Sequence, residues 1–162
     1  MNTRSTRPVT KILGLARAEA VADQSPTVEA EHLLLALSGP GGGQAHLLLA
    51  EAGLDHGAIQ RALAADVERS LGAVGVQLGQ SGLPRSSFFP GRKVHVGASV
   101  KLALHRAVAA SKAQHASEIE PVYLLLGVLN ARLGTVPRAL DLAGVDRPAL
   151  IARILAAPPA AA

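Results

Sequence analysis

The hydrophobic pattern before residue 70 predicts four helices, each followed by a helix-breaking segment. The first carries KILGLARAEAVA after Thr10, a residue type that can cap it, and ends before residues 25–27 (Ser-Pro-Thr). The second, EAEHLLLALS, runs into the Gly-rich turn at 39–43, and the third, QAHLLLAEA, ends at Gly53. The fourth, HGAIQRALAADVERS, follows Asp55 and places a large apolar residue at every fourth position. This spacing is typical of amphipathic helices that share one core.

The middle of the chain, residues 71–99, has a different composition. It is rich in Gly and Ser, contains two prolines and shows no helical periodicity, so it is predicted to be a linker. It also contains the adjacent residues Phe88 and Phe89, which a solvated linker does not need. We interpret them as docking onto the protein's own core, and a ligand contact is the alternative.

After residue 99 the helical pattern returns in four segments: VKLALHRAVAASKAQ, EPVYLLLGVLNARLG, TVPRALDLAG and DRPALIARILAA. Pro121 and Pro148 fall where the first turn of a helix accepts proline. Thr135 and Asp146 are predicted to cap the third and fourth of these helices. Residues 157–162, which end in PPAAA, are expected to be a disordered tail.

The second half of the sequence repeats the first at a fixed offset without gaps. The Leu triplet at 33–35 matches the triplet at 124–126, an offset of 91 because positions 33 and 124 differ by 91. The helix-ending Gly53 matches Gly144 at the same offset, so the breaks between helices are repeated as well as the apolar content. The sequence therefore predicts an all-α fold, an eight-helix bundle made of two pseudo-twofold four-helix repeats. Its predicted parts are a flexible N-terminus (1–9), repeat one (10–70), the linker (71–99) and repeat two (100–156).

Composition narrows the fold and the chemistry. The chain has no cysteine, which excludes disulfides and thiol chemistry, and only 2% aromatic residues. The core must therefore be built from Leu, Val, Ile and Ala, which favours closely packed helices. No apolar run approaches the roughly 20 residues of a membrane span, so a soluble, cytoplasmic protein with no membrane partner is expected.

Charge and histidine content raise two further hypotheses, which are nucleic-acid binding and metal binding. The net charge of +4 and the pI of about 10.1 favour an acidic partner, so a helical nucleic-acid-binding protein is the alternative hypothesis. However, the basic residues are dispersed along the chain. The six histidines form no i, i+4 pair, and no nucleophile elbow is present. We expect no metal, no cofactor and no enzymatic activity.

The repeated elements resemble a known family. The succession E-H-L-L-L-A-L at 31–37, a Gly-rich turn and A-G-L-D at 52–55, with a second copy 91 residues later, resembles the double repeat of the Clp N-terminal domain over residues 10–156. This domain receives substrates and adaptors at the front of ClpC- and ClpA-type AAA+ unfoldases. The chain has no G-x-x-x-x-G-K-[ST] phosphate loop, so the resemblance implies a stand-alone domain without the ATPase modules. Its expected partners are protein or peptide degrons, Clp adaptors or a ClpC unfoldase, which it would modulate or act on as a decoy.

The resemblance also implies a binding site. In ClpC-type domains the Glu-His motif of each repeat contributes to a pocket for phosphorylated arginine, a degradation mark, and the Glu holds the guanidinium. By position this role falls to Glu31, with His32, in the first repeat. Val122 and Tyr123 occupy the equivalent positions in the second, where valine cannot accept a hydrogen bond, so that pocket is expected to be lost or changed. The alternative for Glu31 is a first-turn carboxylate favoured by the helix dipole.

The same family domain binds cyclic-peptide antibiotics between its N-terminal segment and a Phe-containing linker. Phe89, which precedes Pro90, resembles the phenylalanine of that linker, although the spacing here differs. The resemblance thus adds Phe88 and Phe89 to the candidate ligand-binding residues.

Overall fold

The structure, a computed structural model, describes residues 7–75 and 93–157. Eight α-helices make up most of this part of the chain. Two two-residue strands and one short 3-10 turn, Pro40–Gly42, complete it. The elements in chain order are α1 (Arg7–Ala22), β1 (Thr27–Val28), α2 (Ala30–Ser38), α3 (Gln44–Glu51), α4 (His56–Ala73), β2 (His95–Val96), α5 (Ala98–Ala113), α6 (Pro121–Leu129), α7 (Thr135–Leu142) and α8 (Arg147–Ala156). The predicted all-α, eight-helix fold is confirmed.

The duplication is seen in the helix boundaries. Helices α5, α6 and α7 begin and end 91 residues after α1, α2 and α3, and α8 begins 91 residues after α4. Gly53 and Gly144 both take the left-handed conformation, with φ of 73° and 72°, where a side chain would be strained. Asp55 and Asp146 both accept a hydrogen bond from the amide three residues later, at 2.7 and 2.9 Å. These predicted caps are therefore confirmed.

The core is centred on the two Leu-rich helices, α2 and α6, which pack against each other. Both Leu triplets are buried, and Leu33, Leu124 and Leu125 are fully so. Helix α1 covers α2, and α5 covers α6. Because the Leu-rich helix of each repeat lies against that of the other, the two repeats share a single core.

A short parallel strand pair joins the two repeats near the N-terminus of α2. Val28 of β1 pairs with Val96 of β2, and the amide of Gly97 donates to the Val28 carbonyl at 2.8 Å. In the first turn of α5, the Ser99 hydroxyl accepts a hydrogen bond from the amide of Ala30 at 2.8 Å and donates one to the carboxylate of Glu29. The start of α2 is therefore attached to the start of α5.

An ion pair between a buried carboxylate and an exposed guanidinium joins the repeats a second time. The carboxylate of Asp66 on α4, only 6% exposed, accepts two hydrogen bonds from the guanidinium of Arg138 on α7, at 3.1 and 3.0 Å. Asp66 raises the pKa of Arg138 through the hydrogen bond and the charge attraction. This two-point geometry fixes how α4 lies on α7.

The structure differs from the sequence-based prediction at several element ends. Helix α1 begins at Arg7, so Thr10 lies inside it rather than capping it, and residues 7–9 are helical rather than flexible. The N-cap of α7 is Gly134, and Thr135 is its first helical residue. The predicted linker, 71–99, is also narrower, because α4 continues to Ala73 and both β2 and the first residues of α5 lie within it. Phe88 and Phe89 lie outside the described residues.

Helices α5 and α6 approach each other closely at Gly127 in α6. A Cβ atom added there would stand 2.1 Å from the carbonyl oxygen of Ala103 on α5, far inside van der Waals contact. We expect Gly127→Ala to lower the free energy of unfolding by at least ~1–3 kcal/mol because α5 and α6 must separate. Urea denaturation followed by circular dichroism measures the change.

Gly14 provides the matched control within α1. It is exposed, and a Cβ atom there meets nothing within 4 Å. Gly14→Ala is expected to raise the free energy of unfolding by about 1 kcal/mol, the ordinary helix-propensity gain. Equal effects of the two substitutions would contradict the close approach of α5 and α6.

Candidate functional site: one acidic pocket and its smaller counterpart

The first-repeat pocket is a cavity of about 350 Å³ bounded by four helices. The end of α1, the start of α2 and the middle of α4 form its walls, and Thr135 at the start of α7 contributes one edge. Three carboxylates line it, from Glu19, Asp23 and Glu31, and none of the described residues lining it is a lysine or arginine. Its apolar lining includes Leu35, Leu63 and Val67.

Glu31 lies in the first turn of α2 and is partly buried. Burial raises the pKa of its carboxyl group, and the nearby charges of Glu29 and Asp23 raise it further, whereas its own backbone amide and His32 lower it. The guanidinium of Arg138, which is hydrogen-bonded to Asp66, also interacts electrostatically with Glu31. Glu31 is therefore an incompletely hydrated carboxylate that a bound cation would stabilise.

His32 fixes the helix start that carries Glu31. Its side chain is 2% exposed, and its Nδ1 accepts a hydrogen bond from the amide of Glu29 at 2.9 Å. An accepting Nδ1 places the proton on Nε2, which faces the carboxylate of Asp23 at 3.4 Å. Both ring nitrogens thus have partners within the protein, so His32 positions Glu31. Direct ligand binding by His32 stays a prediction.

The remaining carboxylates differ in their surroundings. Glu19 accepts a hydrogen bond from Nε2 of His56 at 2.9 Å, and the Asp23 side chain is 75% exposed. The pocket therefore has two partly buried carboxylates, Glu19 and Glu31, and one exposed carboxylate, Asp23. This arrangement can bind a cationic side chain on more than one side.

The second repeat has a counterpart of this pocket, with a volume of about 80 Å³. A shift of 91 positions maps most of the lining of the first pocket onto residues that line the second, with Thr135 corresponding to Gln44. The three carboxylates become Ala110, Gln114 and Val122 at these positions. Glu120 also lines the second pocket, but it corresponds to Glu29 and not to Glu31.

Val122 and Tyr123 are buried residues of this second pocket. Each is 8% exposed, and both belong to the hydrophobic core. The second repeat has therefore closed the space that the first keeps open, and the carboxylate that would bind a cation is absent. Their assignment as ligand-binding residues stays a prediction.

Sequence reasoning found Glu31 but missed Glu19, Asp23 and Thr135. These residues come from α1 and α7, and only the tertiary packing brings them to the start of α2. The 91-residue alignment held a signal for two of them, since it pairs the acidic residues 19 and 23 with the neutral residues 110 and 114. Charge differences between the repeats, rather than their similarities, mark this site.

Two features are absent from the described ranges, 7–75 and 93–157. No helix there is both long enough and apolar enough to cross a lipid bilayer. No group of three or more His, Cys, Asp or Glu side chains in the same ranges is arranged to hold a metal ion.

Comparison with known proteins assigns the family. The model of the Clp repeat (R) N-terminal domain matches residues 4–86, just over half of the chain. The protein belongs to the Clp N-terminal repeat family. No sequence among the curated proteins matches it.

Solved structures with the same fold cover nearly all of the chain. The N-terminal domain of the chaperone ClpD from Arabidopsis thaliana has a TM-score of 0.62 and 18% identity over 96% of both chains. A chain from structural investigations of a malarial protein secretion system has a TM-score of 0.61 and 18% identity, over 93% of this chain and 91% of that one. The Hsp104 N-terminal domain from Candida albicans gives 0.60 and 17%, over 91% and 86%. At these identities the likeness establishes the fold alone.

The raised pKa of Glu31 predicts a stability effect. The native state binds the Glu31 proton more tightly than the unfolded chain, whose value is near 4.5, so the ionised group opposes folding at neutral pH. We expect Glu31→Gln to raise the melting temperature at pH 7. The gain should shrink as the pH falls through the raised pKa, because the wild-type carboxylate then takes up its proton.

Thermal melts of both proteins from pH 7 to pH 4 measure this difference. Glu68→Gln is the control, since Glu68 is exposed on α4 and the same change of charge should have little effect. A Glu31→Gln melting temperature that runs parallel to the wild type at every pH would contradict the raised pKa.

Proposed function

We propose that this protein is a non-catalytic protein-binding module of the Clp system whose first-repeat pocket receives a basic side chain of a client or adaptor. The observation that carries the proposal is the cluster of three carboxylates around this open pocket, which the second repeat replaces by neutral residues. Family membership supports a binding role alongside a Clp chaperone. It gives no support to the alternative of a helical nucleic-acid-binding protein.

The pocket fits the two parts of an arginine side chain. A guanidinium can form two parallel hydrogen bonds with the carboxylate of Glu31, the strongest common geometry for this pair. Leu35, Leu63 and Val67 offer apolar surface to the methylene groups behind it. Because Glu31 is already incompletely hydrated, little water must be removed when the cation arrives.

The charge of the lining favours unmodified arginine over phosphoarginine. A phosphorylated guanidinium carries added negative charge, and the described lining has three carboxylates without a lysine or arginine to balance a phosphate. Phosphoarginine binding, which the family resemblance implies, remains a hypothesis to be compared directly. Binding of cyclic-peptide antibiotics and decoying of a ClpC unfoldase remain hypotheses as well.

Calorimetry with short peptides tests the proposal. We expect an arginine peptide to bind at one site per protein, and its citrulline counterpart, which lacks the charge, to bind at least tenfold more weakly. Glu31→Gln should weaken the arginine peptide by a similar factor, whereas Val122→Ala and Glu68→Gln should change it little. A phosphoarginine peptide in the same series shows which form of arginine is preferred.

Two results would contradict the proposal. One is an arginine peptide that binds the wild type no better than citrulline does. The other is tight DNA binding that weakens steeply with salt in a gel-shift titration, as for a protein that neutralises many phosphates. The second result would favour the nucleic-acid alternative directly.

A further inference from the structure

The second repeat has an open apolar groove between α5 and the loop that joins α6 to α7. It has a volume of about 230 Å³. Leu102 on α5 and Leu133 on the loop both line it, and they are 55% and 89% exposed. We call this the leucine groove. Two large aliphatic side chains that face solvent on either side of one cavity mark it as a candidate contact surface.

The first repeat closes the equivalent space. Its loop, Pro40–Gly42, lies directly on α1, and a Cβ atom at Gly41 would be 2.5 Å from Cδ1 of Leu15. At Gly42 a Cβ atom would be 1.9 Å from the carbonyl oxygen of Leu37, so only glycine fits there. The first loop is packed because it is made of glycine.

The second repeat has Leu133 at the position equivalent to Gly42. A leucine cannot occupy the closed position, since even its first side-chain carbon would overlap the backbone. The loop therefore stands away from α5 and leaves the groove open. The whole loop differs between the two copies, Gly-Pro-Gly-Gly at 39–42 and Asn-Ala-Arg-Leu at 130–133, and the change from Gly42 to Leu133 is the one that excludes the closed position.

The leucine groove adjoins the first-repeat pocket. Glu31 and Thr135 line both cavities. Two more charged residues line the groove: Glu29, whose carboxylate accepts from Ser99, and Arg106, whose guanidinium donates to the Gly127 carbonyl at 3.5 Å. Glu31 is the charged residue that lines both cavities. In the described structure its side chain makes no hydrogen bond to another side chain.

We infer that the leucine groove is a second subsite for the same partner, and that it takes a large aliphatic side chain of an extended protein segment whose arginine or lysine occupies the first-repeat pocket. The inference rests on the proposed function. Charge selects this occupant, because a purely apolar one would cover Glu31 without a counter-charge. In an extended segment successive residues advance about 3.3 Å, so the basic and aliphatic residues lie only a few positions apart.

Fluorescence anisotropy with labelled peptides tests the inference. One peptide carries arginine followed by leucine, with one to four residues between them, and its partners replace leucine by serine or arginine by citrulline. We expect the arginine–leucine peptide at its best spacing to bind about tenfold more tightly than the arginine–serine peptide, as burial of one leucine implies. Leu133→Ser should remove this advantage and leave the arginine–serine peptide unaffected.

Leu47→Ser is the matched control, since Leu47 is a 60% exposed leucine on α3 that does not line the groove. It should leave all peptide affinities unchanged. Equal binding of the arginine–leucine and arginine–serine peptides, with no effect of Leu133→Ser, would overturn the leucine groove but not the basic-side-chain pocket. Loss of discrimination between arginine and citrulline would overturn both.

Sedimentation velocity checks a different occupant, a second copy of this chain. A dimer that Leu133→Ser dissociates would overturn the inference, because the groove would then be covered by the protein itself. A wild type that stays monomeric at the concentrations of the peptide titration supports it.

Discussion

Packing of α2 against α6 is the interaction on which the rest of the structure depends. Each helix carries a Leu triplet that is buried nearly all round, so each needs apolar neighbours on every side. One repeat of about fifty residues supplies too few of them, and the second repeat completes the shell. Glu31 belongs to the first turn of α2, and its carboxylate is held at the rim of this core as a result. The site is thus built on a helix of the shared core.

The fold could be predicted from the sequence because both the apolar residues and the helix boundaries recur at the same offset of 91 residues. The glycine that ends a helix and the aspartate that caps the next one recur 91 positions later, and local signals of this kind depend on few neighbours. The threonine caps at 10 and 135 were wrong because a capping residue type also fits inside a helix. The pairing of β1 with β2 and the hydrogen-bonded ion pair between Asp66 and Arg138 were not predicted. Each joins segments far apart in sequence and produces no periodic pattern in it. Of the residues that line the first-repeat pocket, only Glu31 and His32 were named as site residues from the sequence, for the same reason.

The two repeats differ in which regions are packed and which are exposed to solvent. The second repeat fills its pocket with Val122 and Tyr123, which add to the core, whereas the first leaves a carboxylate partly dehydrated beside an open cavity. The loops show the opposite division, with a closed glycine loop in the first repeat and an exposed leucine in the second. In each repeat, therefore, one of these two regions is packed and the other is exposed to solvent. Glu31 and Thr135 line both of the exposed regions.

This meeting point has a consequence for direction. A scaffold with an exact twofold axis would offer every ligand two equivalent places, and an extended chain could lie along it with either polarity. Replacement of three carboxylates by Ala110, Gln114 and Val122 removes that degeneracy, because the cluster of three carboxylates then occurs in only one of the two repeats. A segment that carries one positive charge would then have a single orientation on the protein. Divergence between the repeats thereby turns a symmetric bundle into one that distinguishes the two ends of a polypeptide.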